Sequence, residues 1–322
     1  MSDLWAMADL RTPWCIHVVA TLCVAEQIEA GKSAVAEIAQ AVGCDAWVLH
    51  RILQHLVSKG VFEEPEEGRF ELNSIARGLL DPSVKIGLDL DSFGGRMAHA
   101  WSTMLKYART GQPAYRDVFG LPFWDDLAAH PKVAADFDAL IGVVGHGRPD
   151  PNFDVAGGWE GIRWVVDVGG GTGGMIAEML RARPRLRGTL VDLPATVARA
   201  EETFHEAGVA GRVSIAGQSF FDPLPAGADV YLLRGILNDW GDREAVAILS
   251  RCREAMGVDG RIVVLKGVSP DGSKRPLTVE MVLAGGKHRT TSEFRMLARS
   301  AGLEIASAKQ QKSYFVVECR QI

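Results

Sequence analysis

The chain has 322 residues, enough for one large and one smaller domain with an ample core. Apolar residues make up 47% and charged residues 23%, an ordinary globular balance, and a net charge of -5 argues against partnership with nucleic acid or an anionic membrane surface. Cys15, Cys23, Cys44, Cys252 and Cys319 are scattered, odd in number and without C-x-x-C spacing, so neither a disulfide framework nor a zinc site is indicated; with no signal-like or membrane-spanning run, the expected location is the cytoplasm.

Residues 8–95 read as mostly helical, with apolar positions at helical spacing in 14–28, 35–42 and 47–57. After Gly60, the run from Val61 to Leu72 reads as two short strands around a turn. Helix, turn, helix and hairpin is a winged-helix pattern, a shape used for DNA binding. Between Ser33 and Glu71, however, seven acids (Glu37, Asp45, Glu63, Glu64, Glu66, Glu67 and Glu71) stand against three bases (Arg51, Lys59 and Arg69), and phosphate repels so acidic a wing. A structural or dimerising role is expected instead. Trp5, Leu10, Trp14, Val18, Leu22 and Cys23 need cover, which a two-fold homodimer supplies. Residues 96–150 are again helical and rich in aromatics (Trp101, Tyr107, Tyr115, Phe119, Phe123, Trp124 and Phe137), and 149–158 reads as a linker. The expected division of the chain is 1–95, 96–155 and 156–322.

The stretch 162–174 is the most informative. A β-branched and aromatic run, Ile162 to Val168, reads as a buried parallel strand; it contains Asp167 and breaks into glycines at 169–171 and 173–174, before a helical pattern over 175–183. Glycines allow the tight strand-to-helix turn and let a ligand approach the backbone. Two cofactor patterns fit at once. Gly169, Gly171 and Gly174 satisfy the G-x-G-x-x-G of dinucleotide sites, while Asp167, Gly169, Gly171 and Gly173 satisfy the D-x-G-x-G-x-G of S-adenosylmethionine (SAM) enzymes.

From residue 160 strand and helix alternate, with strands read at 162–168, 188–192, 212–216, 230–233 and 261–266, which argues for a parallel sheet covered by helices. The chain ends differently. Strands at 303–308 and 313–319 flank the polar segment Lys309 to Lys312, so the sheet is expected to close with a hairpin. Such an ending is habitual in SAM-dependent methyltransferases and tips the glycine motif toward SAM. The expected fold class is α/β: a Rossmann-like methyltransferase domain with a C-terminal antiparallel hairpin, preceded by a mostly helical, winged-helix-like domain. Asp192 ends the next strand, placed to accept hydrogen bonds from ribose hydroxyls, with a helix N-cap ahead of Pro194 as its alternative role. Gln218, Ser219 and Phe220 follow the third strand, where adenine can meet an amide and stack on a ring, although Phe220 fits a core position equally well. Asp167 supplies a carboxylate for the ammonium and sulfonium groups of SAM.

Asp9 to Trp14, Trp101 to Trp124 with Arg109-Thr110-Gly111-Gln112-Pro113, Asp167 to Gly174, Phe220 to Pro225, Asp239-Trp240 with Asp242, and Gly285 to Thr290 together resemble the bacterial branch of the plant-type small-molecule O-methyltransferases, over essentially the whole chain. The resemblance implies an N-terminal dimerisation domain, a SAM domain that releases S-adenosylhomocysteine, phenolic or enolic substrates of secondary metabolism including antibiotic biosynthesis, and a pocket roofed by 96–150. By position it implies a cofactor site of Asp167, Gly169, Gly171, Asp192, Leu193, Gln218, Ser219, Phe220, Arg234 and Trp240, and a substrate pocket touching Trp101, Phe137, Ile141 and Glu280.

The catalytic positions depart from the family pattern. Asn238 stands where the family has the His of His-Asp-Trp, before Asp239; Lys266 and His288 stand where it has two Glu residues. An amide takes no proton at neutral pH, so base catalysis from 238, typically about 10²- to 10⁴-fold, is lost. The leading expectation is methyl transfer by alignment, helped by His288. A second is a non-methylating reaction (decarboxylation, hydroxylation or pericyclic rearrangement) in which Lys266 and His288 polarise a carbonyl. A third has Asp239 and His288 ligating a metal, with Asn238 a poor third ligand; no metal is expected. A silent SAM-binding scaffold and a dinucleotide oxidoreductase are the remaining alternatives. Lys266 should face the pocket or an acid such as Glu280.

Overall fold

The computed structural model describes residues 4–140 and 149–322. They fall into two compact units, one of residues 4–102 and 127–140 and the other of residues 103–126 and 149–322. The segment 96–155, expected as one roof and linker, is thus divided between the units.

In the first unit, helices Val35–Val42 and Ala46–Ser58 are followed by the hairpin β1 (Phe62–Glu66) and β2 (Arg69–Leu72), the winged-helix order. Asp45 caps the second helix by accepting the Val48 N–H at 2.8 Å. Val19, Ile38, Leu49, Leu53, Leu56, Phe62 and Phe70 meet in one core. Glu63 and Glu71 lie directly opposite each other in the wing. The helix expected over 14–28 is two helices, Arg11–Thr21 and Val24–Glu29, because Cys23 is left-handed at φ +57° and interrupts the ladder.

The second unit is built on a seven-stranded sheet. Its members are β3 (Trp164–Val168), β4 (Arg187–Asp192), β5 (Val213–Gly217), β6 (Val230–Arg234), β7 (Arg261–Leu265), β10 (Leu303–Gln310) and β11 (Phe315–Gln321), in the order β10-β11-β7-β6-β3-β4-β5. The first five run parallel; β11 is antiparallel to β7 and to β10, the expected closing hairpin. Alternate residues feed cores on opposite faces: Val166, Tyr231, Leu233 and Val264 enter one, Val165, Leu232, Val263 and Leu265 the other. That is why these strands read as unbroken apolar runs. The chain order reverses on the two sides of β3, which places the glycine turn at the switch point where ligands of open α/β sheets bind.

The segment 149–158, read as a linker, is packed: Phe153 and Val155 are buried, Asp154 and Gln311 exchange hydrogen bonds of 2.8 and 2.9 Å, and the Ala156 N–H reaches Glu318 at 2.7 Å. The fifth strand stops at Leu265 rather than 266, because Lys266 (φ +68°) and Gly267 (φ +80°) are both left-handed and turn the chain into β8 (Val268–Ser269). β8 pairs in parallel with β9 (Arg289–Thr290), a contact between short segments far apart in sequence that their composition does not announce. Among the described residues no helix is long and apolar enough to cross a membrane.

Candidate active site

The carboxyl edge of the sheet gathers most of the expected residues. After β3, Gly169, Gly171 and Gly173 all adopt left-handed φ, and the helix Gly174–Ala182 starts at once. A Cβ at Gly173 would lie 2.5 Å from the Phe204 ring, whereas one at Gly171 would meet nothing within 4 Å. Gly171 therefore borders open space, and the loop is tight on one side and free on the other. Asp167 lies beneath it, fully buried, with Oδ2 lacking a hydrogen-bond partner; burial pushes its carboxyl up to about 7, against the pull of Arg234.

On the neighbouring strand, Asp192 accepts the Gly171 N–H at 2.8 Å through Oδ2 and the Leu193 N–H at 2.7 Å through Oδ1, and burial raises its pKa above the usual carboxylate value. It does not cap the following helix Pro194–Val197, whose N-cap is Leu193 with no side-chain bond. Gln218 donates its backbone N–H to the Asp192 carbonyl (2.9 Å) and its side-chain amide to the Pro223 carbonyl (2.9 Å), and Ser219 Oγ accepts the Phe221 N–H. Phe220 and Phe221 stand edge-on to Trp240 at 5.9 and 5.0 Å, and Trp124 stacks on its face at 5.4 Å. Leu193 is exposed and Arg234 half-buried at the end of β6. This donor set fits SAM: a carboxylate for the ribose, open space at Gly171, an aromatic wall, and a buried carboxylate oxygen still lacking a donor.

Past β6 the short turn Leu237–Asp239 carries the altered catalytic positions. Asn238 Nδ2 donates to Asp239 Oδ1 at 2.8 Å, whereas Asn238 Oδ1 is buried without a hydrogen-bond partner, close to where a Cβ on Gly267 would stand. Asp239 is pushed up to about 8, by burial first and then by Glu280. Helix Val279–Ala284, which carries Glu280, packs on this turn and on helix Tyr115–Phe119. His288 is half-buried; burial lowers its pKa, Arg275 and Arg289 add to that, and Glu280 opposes them. The imidazole is neutral at neutral pH. Lys266 is half-buried and is held below the ordinary lysine value by burial and then by Arg234, while Glu280 raises Asp239 and opposes the lowering of His288.

Of the expected pocket residues, Trp101 is exposed and Phe137 packs edge-on against Phe93, both in the first unit, while Glu280 belongs to the second; Ile141 lies outside the described residues. Among the described residues no group of three or more His, Cys, Asp or Glu is arranged to hold a metal ion, so Asp239 and His288 lack a third ligand of that kind. Sequence reasoning missed Arg289 and Asp242 as site residues. Their motifs were visible, but a buried arginine and a surface one read alike until packing is known.

The family described as the O-methyltransferase domain matches residues 101–304, and the O-methyltransferase dimerisation domain matches residues 5–82. A 2,7-dihydroxy-5-methyl-1-naphthoate 7-O-methyltransferase from Streptomyces carzinostaticus is 39% identical, covering 98% of this chain and 96% of the relative. Aclacinomycin 10-hydroxylase RdmB from Streptomyces purpurascens is 36% identical, covering 95% and 85%. The solved structure of the O-methyltransferase NcsB1 from neocarzinostatin biosynthesis, in complex with SAM and 2-hydroxy-5-methyl naphthoic acid, superposes with a TM-score of 0.86 at 37% identity, covering 100% of this chain and 99% of that one.

Proposed function

The chain belongs to the small-molecule O-methyltransferases, and from that premise we propose that it methylates a hydroxyl of an aromatic or enolic secondary metabolite with SAM as donor. The observation that supports this best is one sheet edge on which a glycine loop with open space at Gly171 adjoins Asp192, in a sheet closed by the β10–β11 hairpin. Bound SAM supplies an electrophilic methyl group. Asp192 and the glycine loop hold the ribose end, and Trp240 with Phe220 walls the site. Alignment of the reacting atoms contributes about 7 to 11 kcal/mol, enough for an acceptor that is already acidic. Asn238 takes no proton; His288, neutral and beside Glu280, is the residue we assign to receive the hydroxyl proton and return it to water. The dimerisation-domain match over 5–82 supports a homodimer, and we place the enzyme in the cytoplasm.

A second reading is favoured by one observation, the 10-hydroxylase relative at 36% identity, taken with the altered residues at 238, 266 and 288. One experiment separates the two. The protein is incubated with SAM and 2-hydroxy-5-methyl naphthoic acid, and separately with extracts of its own producer, and products are read by mass spectrometry. Gain of one methyl with release of S-adenosylhomocysteine is expected; gain of an oxygen, or no S-adenosylhomocysteine, excludes the methyltransferase reading.

A further inference from the structure

Arg289 is 1% exposed, yet it is a permanent cation. All three of its guanidinium nitrogens donate hydrogen bonds to the reactive turn and its surroundings. Nη1 donates to the Leu237 carbonyl (2.6 Å) and the Lys287 carbonyl (3.0 Å), Nη2 donates to the Trp240 carbonyl (2.9 Å) and stands 2.9 Å from Asp242 Oδ1, and Nε donates to that same oxygen at 3.0 Å. Leu237 and Trp240 are the residues on either side of Asn238 and Asp239. The backbone adds to the tie, with the Arg289 N–H on the Gly267 carbonyl (3.1 Å) and the Lys287 N–H on the Asn238 carbonyl (2.8 Å). The counter-charge comes from Asp242, whose other oxygen accepts Lys287 Nζ at 2.6 Å toward solvent.

We propose that Arg289 is the positioning residue of this active site: its guanidinium binds the carbonyls on both flanks of the Asn238–Asp239 turn and fixes that turn, with Trp240, against Gly267 and Lys287. A chain of this fold holds its sheet without such a bond set, because the turn lies outside the strands. What the bonds determine is where 238–240 stand. Desolvating a cation for carbonyl acceptors is costly unless a counter-ion is present, which assigns Asp242 its role. Lysine keeps the charge but offers three donors from one point and cannot reach both flanks. The catalytic consequence rests on the methyltransferase reading; the structural claim does not.

The test uses full-length wild type, Arg289→Lys and Asp242→Asn, followed by amide hydrogen exchange read by mass spectrometry, calorimetry with S-adenosylhomocysteine, and methyl transfer to 2-hydroxy-5-methyl naphthoic acid. In Arg289→Lys, exchange over 236–241 should be about tenfold or more faster while helix Gly174–Ala182 stays within about twofold of wild type. S-adenosylhomocysteine should still bind, and kcat should fall about tenfold or more with a smaller change in acceptor KM. Asp242→Asn should give the same local pattern, weaker. Unchanged exchange over 236–241, or equal acceleration everywhere, overturns the proposal, and if Arg289→Lys does not fold, Asp242→Asn decides it by the same criterion. Exchange needs no turnover, so if wild type transfers no methyl while Arg289→Lys shows the local loosening, the functional reading is lost and the role of Arg289 stands.

Discussion

Asp167 and Asp192 are neighbouring carboxylates on one sheet edge with different work. Asp167 is held at about 7 by burial, above the ordinary carboxylate value of about 3.9, so the folded chain keeps a proton that the unfolded chain gives up. Its contribution is fully present below the unfolded value and lost as pH rises through about 7; Asp239, at about 8, acts with the same sign. Urea unfolding of the cofactor-free protein should therefore show a stability component that falls between about pH 5 and pH 8, and Asp167→Asn should flatten it. An equal slope in wild type and variant removes Asp167 as the source. For Asp192, which already accepts two backbone N–H groups, truncation to Ala strips the loop of its acceptor and, under the proposed ribose contact, the cofactor of its own. Calorimetry should find S-adenosylhomocysteine binding weakened by about 1.5 to 3 kcal/mol. Wild-type affinity in Asp192→Ala takes this residue out of the site.

Elements differ in how much of them the sequence announced. Strands β3, β4, β6 and β7 were legible because burial demands apolar, largely β-branched runs, and Asp192 was legible as the residue that ends β4; β5, at the sheet edge with no buried residue, was marked by its place in the strand–helix alternation. The helix break at Cys23 was not, since Leu22-Cys23 carries no glycine or proline to signal the left-handed turn. Nor was the β8–β9 pair, which depends on Lys266 and Gly267 turning left-handed and bringing 268–269 beside 289–290. With that pair went Arg289, whose burial against the 237–240 turn depends on the β8–β9 contact and not on any local pattern. The glycine turn offers a test at this scale. Ala at Gly171 (φ +64°) meets backbone strain of about 1 to 2 kcal/mol but no neighbour, whereas Ala at Gly173 (φ +83°) adds overlap with buried Phe204. Thermal unfolding should rank Gly173→Ala as the less stable variant, and calorimetry should rank Gly171→Ala as the poorer binder of S-adenosylhomocysteine. The reverse order in both would mean that the open side at Gly171 does not face the cofactor.

Among the described residues, 4–10 present an apolar surface that a lone chain leaves in water. Helix Leu4–Met7 has no buried residue; Trp5 is 87% exposed and Leu10 71% exposed, with Leu4 and Met7 also bare. None of these side chains belongs to the core formed by Val19, Leu53 and Phe70. Apolar area this exposed is disfavoured by water, and a second copy covers it by meeting the same patch through a two-fold axis, in line with the dimerisation-domain match over 5–82. Light scattering at micromolar concentration should give twice the chain mass. Trp5→Ser combined with Leu10→Ser should shift the equilibrium toward monomer, lowering thermal stability in a concentration-dependent way because the lost stabilisation is that of association. A wild-type protein that scatters as a monomer rules the dimer out, and a double variant that stays dimeric moves the interface to another part of residues 5–82.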